Sequence, residues 1–203
     1  MNAEDVATFE RCIAVGGVAL FPADTVYGLA TDPQSAEGVE RLYRLKGRSP
    51  RRSAAVMFFA LDLALEALPG LGERTRTALG RLMPGPVTAV LPNPARRYPL
   101  ACADDPELIG LRVPLLEGPL APLAAARWPV LQSSANPSGA ADAASVDAID
   151  PAIRAGVDLV LDAGELPGTP STVVSLAAYE EDGSFEVLRA GALPSSALDA
   201  VLR

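Results

Sequence analysis

The 203 residues are nearly half apolar, so the chain is long and greasy enough to bury a sizeable core without help from metals or disulfides. It contains no histidine, which removes the commonest general base, the commonest metal ligand and every triad that needs an imidazole. A formal charge of −8 argues against a surface built throughout to hold nucleic acid, because that affinity rests on many Lys and Arg contacts to phosphate.

In chain order, Val6, Phe9 and Ile13 recur at helical spacing within Asp5 to Ala14, and Gly16-Gly17 ends that helix before the apolar run Val18 to Phe21. The first residues lack the basic-then-apolar order of a secretory signal, and no stretch supplies the roughly 18 uncharged residues of a membrane span. Cys12 and Cys102 stand far apart without a second thiol near either, so neither a metal site nor a disulfide framework is indicated. A reduced, cytoplasmic setting is expected, with no membrane partner.

Ser35 is placed to cap a second helix whose apolar positions are Ala36, Val39, Leu42 and Tyr43, and Gly47 follows where a C-terminal cap belongs. Lys46 therefore falls in the last helical turn. Apolar runs of strand length then recur at 54–59, 87–91, 108–113, 130–132, 159–161 and 173–176, with helical patterns near 74–83, 118–127 and 145–155. The Pro-rich stretch 92–106 reads as a surface loop. The segments 172–176 and 185–189 flank Asp182-Gly183 and read as a hairpin. The alternation predicts one α/β domain over residues 1–203, with a twisted mixed sheet and flanking helices.

Several short segments carry polar chemistry. Six of the seventeen basic residues fall within twelve positions, at Arg41, Arg44, Lys46, Arg48, Arg51 and Arg52. Such a cluster suits an anionic ligand, since guanidinium forks and a compact ammonium both bind phosphate; it suits equally a solvated basic face at a helix C-terminus. Arg outnumbers Lys sixteen to one, a bias we attribute to coding composition, which makes the single Lys46 notable. FPADTVYGLATD (21–32) brings hydroxyl, carboxylate and phenol groups to the end of a strand, where α/β sheets open to ligands, or else forms a self-satisfied turn around Asp24 and Thr25. LQSSANPSG (131–139) offers a phosphate cradle or a capped turn, and it matches neither a Walker loop nor a GxGxxG fingerprint.

Taken together, FPADTVYGLATD, RLYRLKGRSPRRSAAVMFF, LMPGPVTAVLP, LIGLRVP, LQSSANPSG, GTPSTVVSL and VLRAGAL resemble the YrdC-like family, the threonylcarbamoyl-AMP synthases of TsaC type. Each block alone is weak; seven in the family's order, across residues 16 to 193, are specific. The resemblance implies a YrdC/RibB-like sheet around a concave basic cavity. It also implies a nucleotidyltransferase that condenses L-threonine, bicarbonate and ATP, accompanied by Mg²⁺, into threonylcarbamoyl-AMP and pyrophosphate. Proteins that modify tRNA would consume that product. By the same resemblance, Thr25, Arg112 and Ser171 contact threonine. Lys46, Arg48, Arg52, Ser133, Ser134, Asn136 and Arg189 hold ATP, with Lys46 and Arg48 at the reacting phosphates and no resident metal. A paralogue forming another carbamoyl or acyl adenylate, or an accessory protein binding double-stranded RNA or tRNA weakly in the same cavity, fits the blocks as well.

The chain departs from the family pattern in places. Ser49 stands where Pro is usual, Ala23 where Thr is usual, and Met57 where the strand ends in His, so one threonine contact of the family pattern has no counterpart in the sequence and the effect of Met57 on the amino-acid pocket stays open. The chain ends at Arg203 without the extra C-terminal domain of longer relatives, so closure of the cavity is expected from within this domain or from a partner.

Overall fold

The structure is a computed structural model describing residues 1–203. Helix α1 (Ala3–Ala14) starts two residues earlier than its apolar spacing predicts. The reason is Asn2, whose side chain accepts the N–H groups of Glu4 and Asp5 while the Asp5 carboxylate accepts the Asn2 N–H, a reciprocal cap. Strand β1 (Ala19–Pro22) then turns at once into β2 (Tyr27–Thr31), which runs back along it. Helix α2 (Ala36–Lys46) is capped by Ser35, whose hydroxyl accepts the Gly38 N–H at 3.1 Å, and ends at Gly47 with φ +58°, a left-handed conformation that glycine adopts without steric cost.

Next come β3 (Ala55–Met57), α3 (Leu61–Ala67), α4 (Glu73–Leu82), β4 (Val87–Pro92), α5 (Pro99–Cys102) and β5 (Leu108–Arg112). A 3₁₀ segment, Gly118–Ala125, leads to β6 (Val130–Ser134); a 3₁₀ turn, α6 (Pro151–Gly156) and β7 (Leu159–Val160) follow. The chain finishes with β8 (Thr172–Ser175), α7 (Tyr179–Asp182), β9 (Glu186–Arg189) and α8 (Ser195–Leu202).

All nine strands join one sheet in the order β7, β1, β2, β6, β3, β5, β4, β8, β9. The pairs β1–β7, β3–β5 and β4–β8 are parallel and the others antiparallel, so the sheet is mixed as predicted.

The two faces of the sheet differ, and that difference creates the site. Leu20, Leu29, Leu131, Val56, Leu111, Ala89 and Val174 belong to the main core, joined by Val39, Leu42 and Tyr43 of α2 and by Ala78, Leu79 and Leu82 of α4. On the other face Ala19, Phe21, Ala30, Val130 and Met57 form a smaller core with Val6, Phe9 and Ile13 of α1 and Leu123 of the 3₁₀ segment. Phe9 packs on Phe21 and edge-on to Phe59, with centroid separations of 5.5 and 5.8 Å. Further along this face the inward residues become small or polar, namely Gln132, Ala55, Gly110, Val90 and Thr88, which are matched across the strands in register. These residues line a cavity instead of a core.

The structure corrects or refines four expectations. The predicted strands do not include β2, because Gly28 interrupts the apolar run there. The segment 92–106 is mostly exposed, as a surface loop is, but it carries α5 and is anchored by the buried Asn93, Tyr98, Ala101 and Cys102. Asn93 knits it together, donating to the carbonyls of Arg97 and Pro106 and accepting the Arg97 N–H. Strands β8 and β9 do pair antiparallel, but α7 intervenes, so Gly183 (φ +79°) ends a helix and makes no two-residue turn. The pattern near 118–127 forms a 3₁₀ segment, in which Pro122 removes an interior N–H donor that an α-helix requires.

Candidate active site

The cavity encloses about 400 Å³ over strands β6, β3, β5, β4, β8 and β9, a size that suits a small organic ligand. Its floor is low because Ala55 and Gly110 lie side by side in register, and neither projects more than a methyl group. Around this floor stand three guanidinium groups, Arg48, Arg112 and Arg189. Although the chain carries a net charge of −8, its cavity wall is therefore locally basic.

Each guanidinium is held differently. Arg112, at the end of β5, donates through Nη2 to Asp24 Oδ1 at 2.5 Å and to Thr25 Oγ1 at 2.6 Å. Asp24 also accepts the Leu115 N–H at 3.0 Å, which ties the β1–β2 turn to the chain leaving β5. Arg112 is 3% exposed, yet its Nε–H has no partner in the protein. Arg189 donates to the Ser171 carbonyl at 2.7 Å, and Ser171 Oγ shares a hydrogen bond of 2.9 Å with Thr88 Oγ1. Arg48 lies over the Tyr43 ring, 5.8 Å from its centroid, and donates to the Ser53 carbonyl at 2.5 Å. Its Nε–H is buried and unpaired as well, and burial lowers the guanidinium pKa from its usual value. Two buried N–H donors that no protein atom satisfies are costly unless a ligand accepts from them.

Of the ten residues expected to form the site, the structure brings six to the cavity wall, namely Arg48, Arg112, Ser133, Ser134, Ser171 and Arg189. Thr25, Lys46, Asn136 and Arg52 stand outside the lining, each for a visible reason. Thr25 is buried behind Arg112 and accepts its hydrogen bond. The Lys46 ammonium, expected at the triphosphate, is 3% exposed and turned onto the loop after β6. There it donates to the Ser134 carbonyl, to the Asn136 carbonyl at 2.7 Å and to Asn136 Oδ1 at 3.2 Å. Burial, and next the Arg48 charge, lower its pKa to about 8. Asn136 in turn accepts from Ser134 Oγ and donates to the Ala140 carbonyl, each at 2.5 Å, so it shapes the loop from within. Arg52 is exposed, and its carbonyl accepts the Tyr43 hydroxyl at 3.0 Å.

Met57 is fully buried in the smaller core beside Val130 and does not line the cavity. Sequence reasoning missed Asp24 as the counter-ion of Arg112, together with the cavity positions Thr88 and Gln132. Only a strand register could have shown that Thr88 lies directly beside Arg112.

The sequence profile of the Sua5/YciO/YrdC family, described under telomere recombination, matches residues 11–191. This chain belongs to that family. A threonylcarbamoyl-AMP synthase of Xanthomonas campestris is 34% identical over 167 residues, covering 80% of this chain and 85% of the relative. Synthases of the same name from Pyrococcus abyssi and Bacillus subtilis are each 28% identical, covering 94% and 99% of this chain but only 55% and 57% of their own lengths. Among solved structures, P. abyssi Sua5 complexed with L-threonine superposes with a TM-score of 0.84 at 24% identity, covering 99% of this chain and 58% of that one. E. coli YciO superposes with a TM-score of 0.79 at 22% identity over 97% of this chain and 94% of its own. These two likenesses identify the fold, a mixed sheet with flanking helices. No helix of the chain is long and apolar enough to cross a membrane.

Proposed function

We propose that the chain is a threonylcarbamoyl-AMP synthase, condensing L-threonine, bicarbonate and ATP in the cavity over β6, β3, β5 and β4. The observation that carries the reading is a cavity wall with three guanidinium groups, Arg48, Arg112 and Arg189, two of which keep a buried Nε–H that no protein atom accepts, in a chain that otherwise carries excess negative charge. A substrate carboxylate at Arg112 and phosphate oxygens at Arg48 and Arg189 would satisfy donors that the protein leaves open. The relatives' names support the choice of substrates.

In this reading threonine lies against Arg112 with its amine free to add to the carbon of bicarbonate, losing water to give the carbamate. A carbamate oxygen then attacks the α-phosphorus, the bond to the bridging oxygen breaks, and pyrophosphate leaves. The protein contributes position and charge. Arg48 and Arg189 neutralise the phosphates, while the loop 133–136, pinned by Lys46, shapes the nucleotide wall. Phosphoryl transfer of this kind needs little more than such placement and stabilisation, so it suits a chain without histidine.

No group of three or more Asp, Glu or Cys side chains gathers to hold a metal, so Mg²⁺ is read as part of the substrate MgATP, held by its phosphates. The product would pass to tRNA-modifying proteins in the cytoplasm. The deciding experiment supplies ATP, Mg²⁺, bicarbonate and L-threonine and follows pyrophosphate together with threonylcarbamoyl adenylate. Pyrophosphate release that does not depend on threonine would favour a paralogous adenylate-forming activity instead.

A further inference from the structure

Four polar side chains lining the cavity are buried: Thr88, Arg112, Gln132 and Ser171. Arg112 is paired with Asp24 and Thr25, and Thr88 and Ser171 bond each other. Gln132 is the exception. It is 6% exposed, and its amide, unpaired within the protein, keeps contact with the open cavity. The space it occupies is made for it, since a Cβ added to Gly28 on the neighbouring strand would come within 2.9 Å of the Gln132 amide and 3.2 Å of the Phe21 ring. An amide that reaches the cavity with no partner of its own is free to bond a group that a ligand supplies there.

The chemistry of the partner follows from the group. Carboxylate and phosphate are matched by the three guanidinium groups, whereas a neutral amide, which both donates and accepts, is matched by a neutral group that does the same. A hydroxyl is the smallest such group. Directly beside Gln132 in register lies Ala55, whose methyl group offers apolar contact. An amide next to a methyl floor complements a substrate side chain bearing one hydroxyl and one methyl group.

We propose that Gln132 is a specificity-determining residue that reads the side-chain hydroxyl of the amino-acid substrate; the assignment rests on the synthase reading above. A site built around such a hydrogen bond rejects the analogue that lacks the hydroxyl, because its own polar group is then left unpaired.

The test compares kcat/KM for L-threonine and L-valine, which replaces the hydroxyl by a methyl group, using pyrophosphate release by wild-type protein, Gln132→Leu and Gln132→Met. The wild type is expected to favour threonine by about 100-fold or more, and both variants to reduce that ratio by about tenfold or more, chiefly through a higher KM for threonine. Both substrates are measured on one preparation, so any loss of folded protein cancels from the ratio. An unchanged ratio in both variants overturns the assignment of Gln132 while leaving the synthase reading intact. A wild type that releases no pyrophosphate with threonine overturns that reading and the assignment together.

Discussion

The guanidinium of Arg112 donates to the carboxylate of Asp24 at 2.5 Å, across 88 residues of sequence, with side-chain exposures of only 4% and 7%. This ion pair fixes the β1–β2 turn over the end of β5 and holds in place a guanidinium that lines the cavity. Removing one partner of a buried pair is costly because the other charge stays desolvated. Asp24→Ala is therefore expected to cost about 3–5 kcal/mol, read as a lower urea midpoint. The double variant Asp24→Asn, Arg112→Met should recover part of that loss while remaining inactive. Equal destabilisation of the double variant and Asp24→Ala would show that the pair has no such role.

Arg48 borders the cavity with one donor open and is anchored only by the Ser53 carbonyl and the Tyr43 ring. Arg48→Ala is expected to lower the rate of pyrophosphate formation by about tenfold to a hundredfold, the worth of one charge-assisted hydrogen bond, with thermal stability close to wild type. Near-normal turnover in this variant would remove Arg48 from the phosphate site.

Lys46 supports the loop that follows β6 through donors to Ser134 and Asn136. Lys46→Met should cost about 2–3 kcal/mol in a denaturant titration, since charge-assisted bonds are lost and buried carbonyls are left unpaired. Lys46→Arg should not restore the loss, because a planar fork does not fit where a compact ammonium is 3% exposed. Full stability in either variant would contradict the tethering role.

The same residue carries a pH signature. Burial, and next the Arg48 charge, lower its pKa to about 8 in the folded protein, whereas an unfolded lysine titrates near ~10.4. Between those values the unfolded chain binds more protons than the native one. This group's contribution to stability therefore rises with pH across that window, and its burial penalty is present in full below about pH 8. The chain has a single lysine, so protein labelled with ¹³C-lysine should give one side-chain signal with a midpoint near 8. A midpoint near ~10.4 would refute the shift.

Much of the fold was legible in local sequence. The strands at 87, 108 and 130 and the helix ending at Lys46 follow from apolar runs, the Ser35 cap and Gly47, features that act within a few residues of chain. Strand β2 was not legible. Gly28 weakens its local signal, and the strand exists because β1 and β6 pair with it on both sides.

The seven motif blocks determined the family and the list of candidate residues, because each block preserves side-chain chemistry at fixed local spacing. Tertiary structure alone decided which of those residues meet the cavity. Lys46 and Arg48 are two positions apart, yet one lies buried against the Asn136 loop and the other borders the cavity. Asp24 and Arg112, far apart in sequence, form a single ion pair, and Gln132 gains its place only because Gly28 on the adjacent strand has no side chain. These outcomes depend on strand register and on how helices cover half of one sheet face, and both are set by long-range packing that no local spacing records.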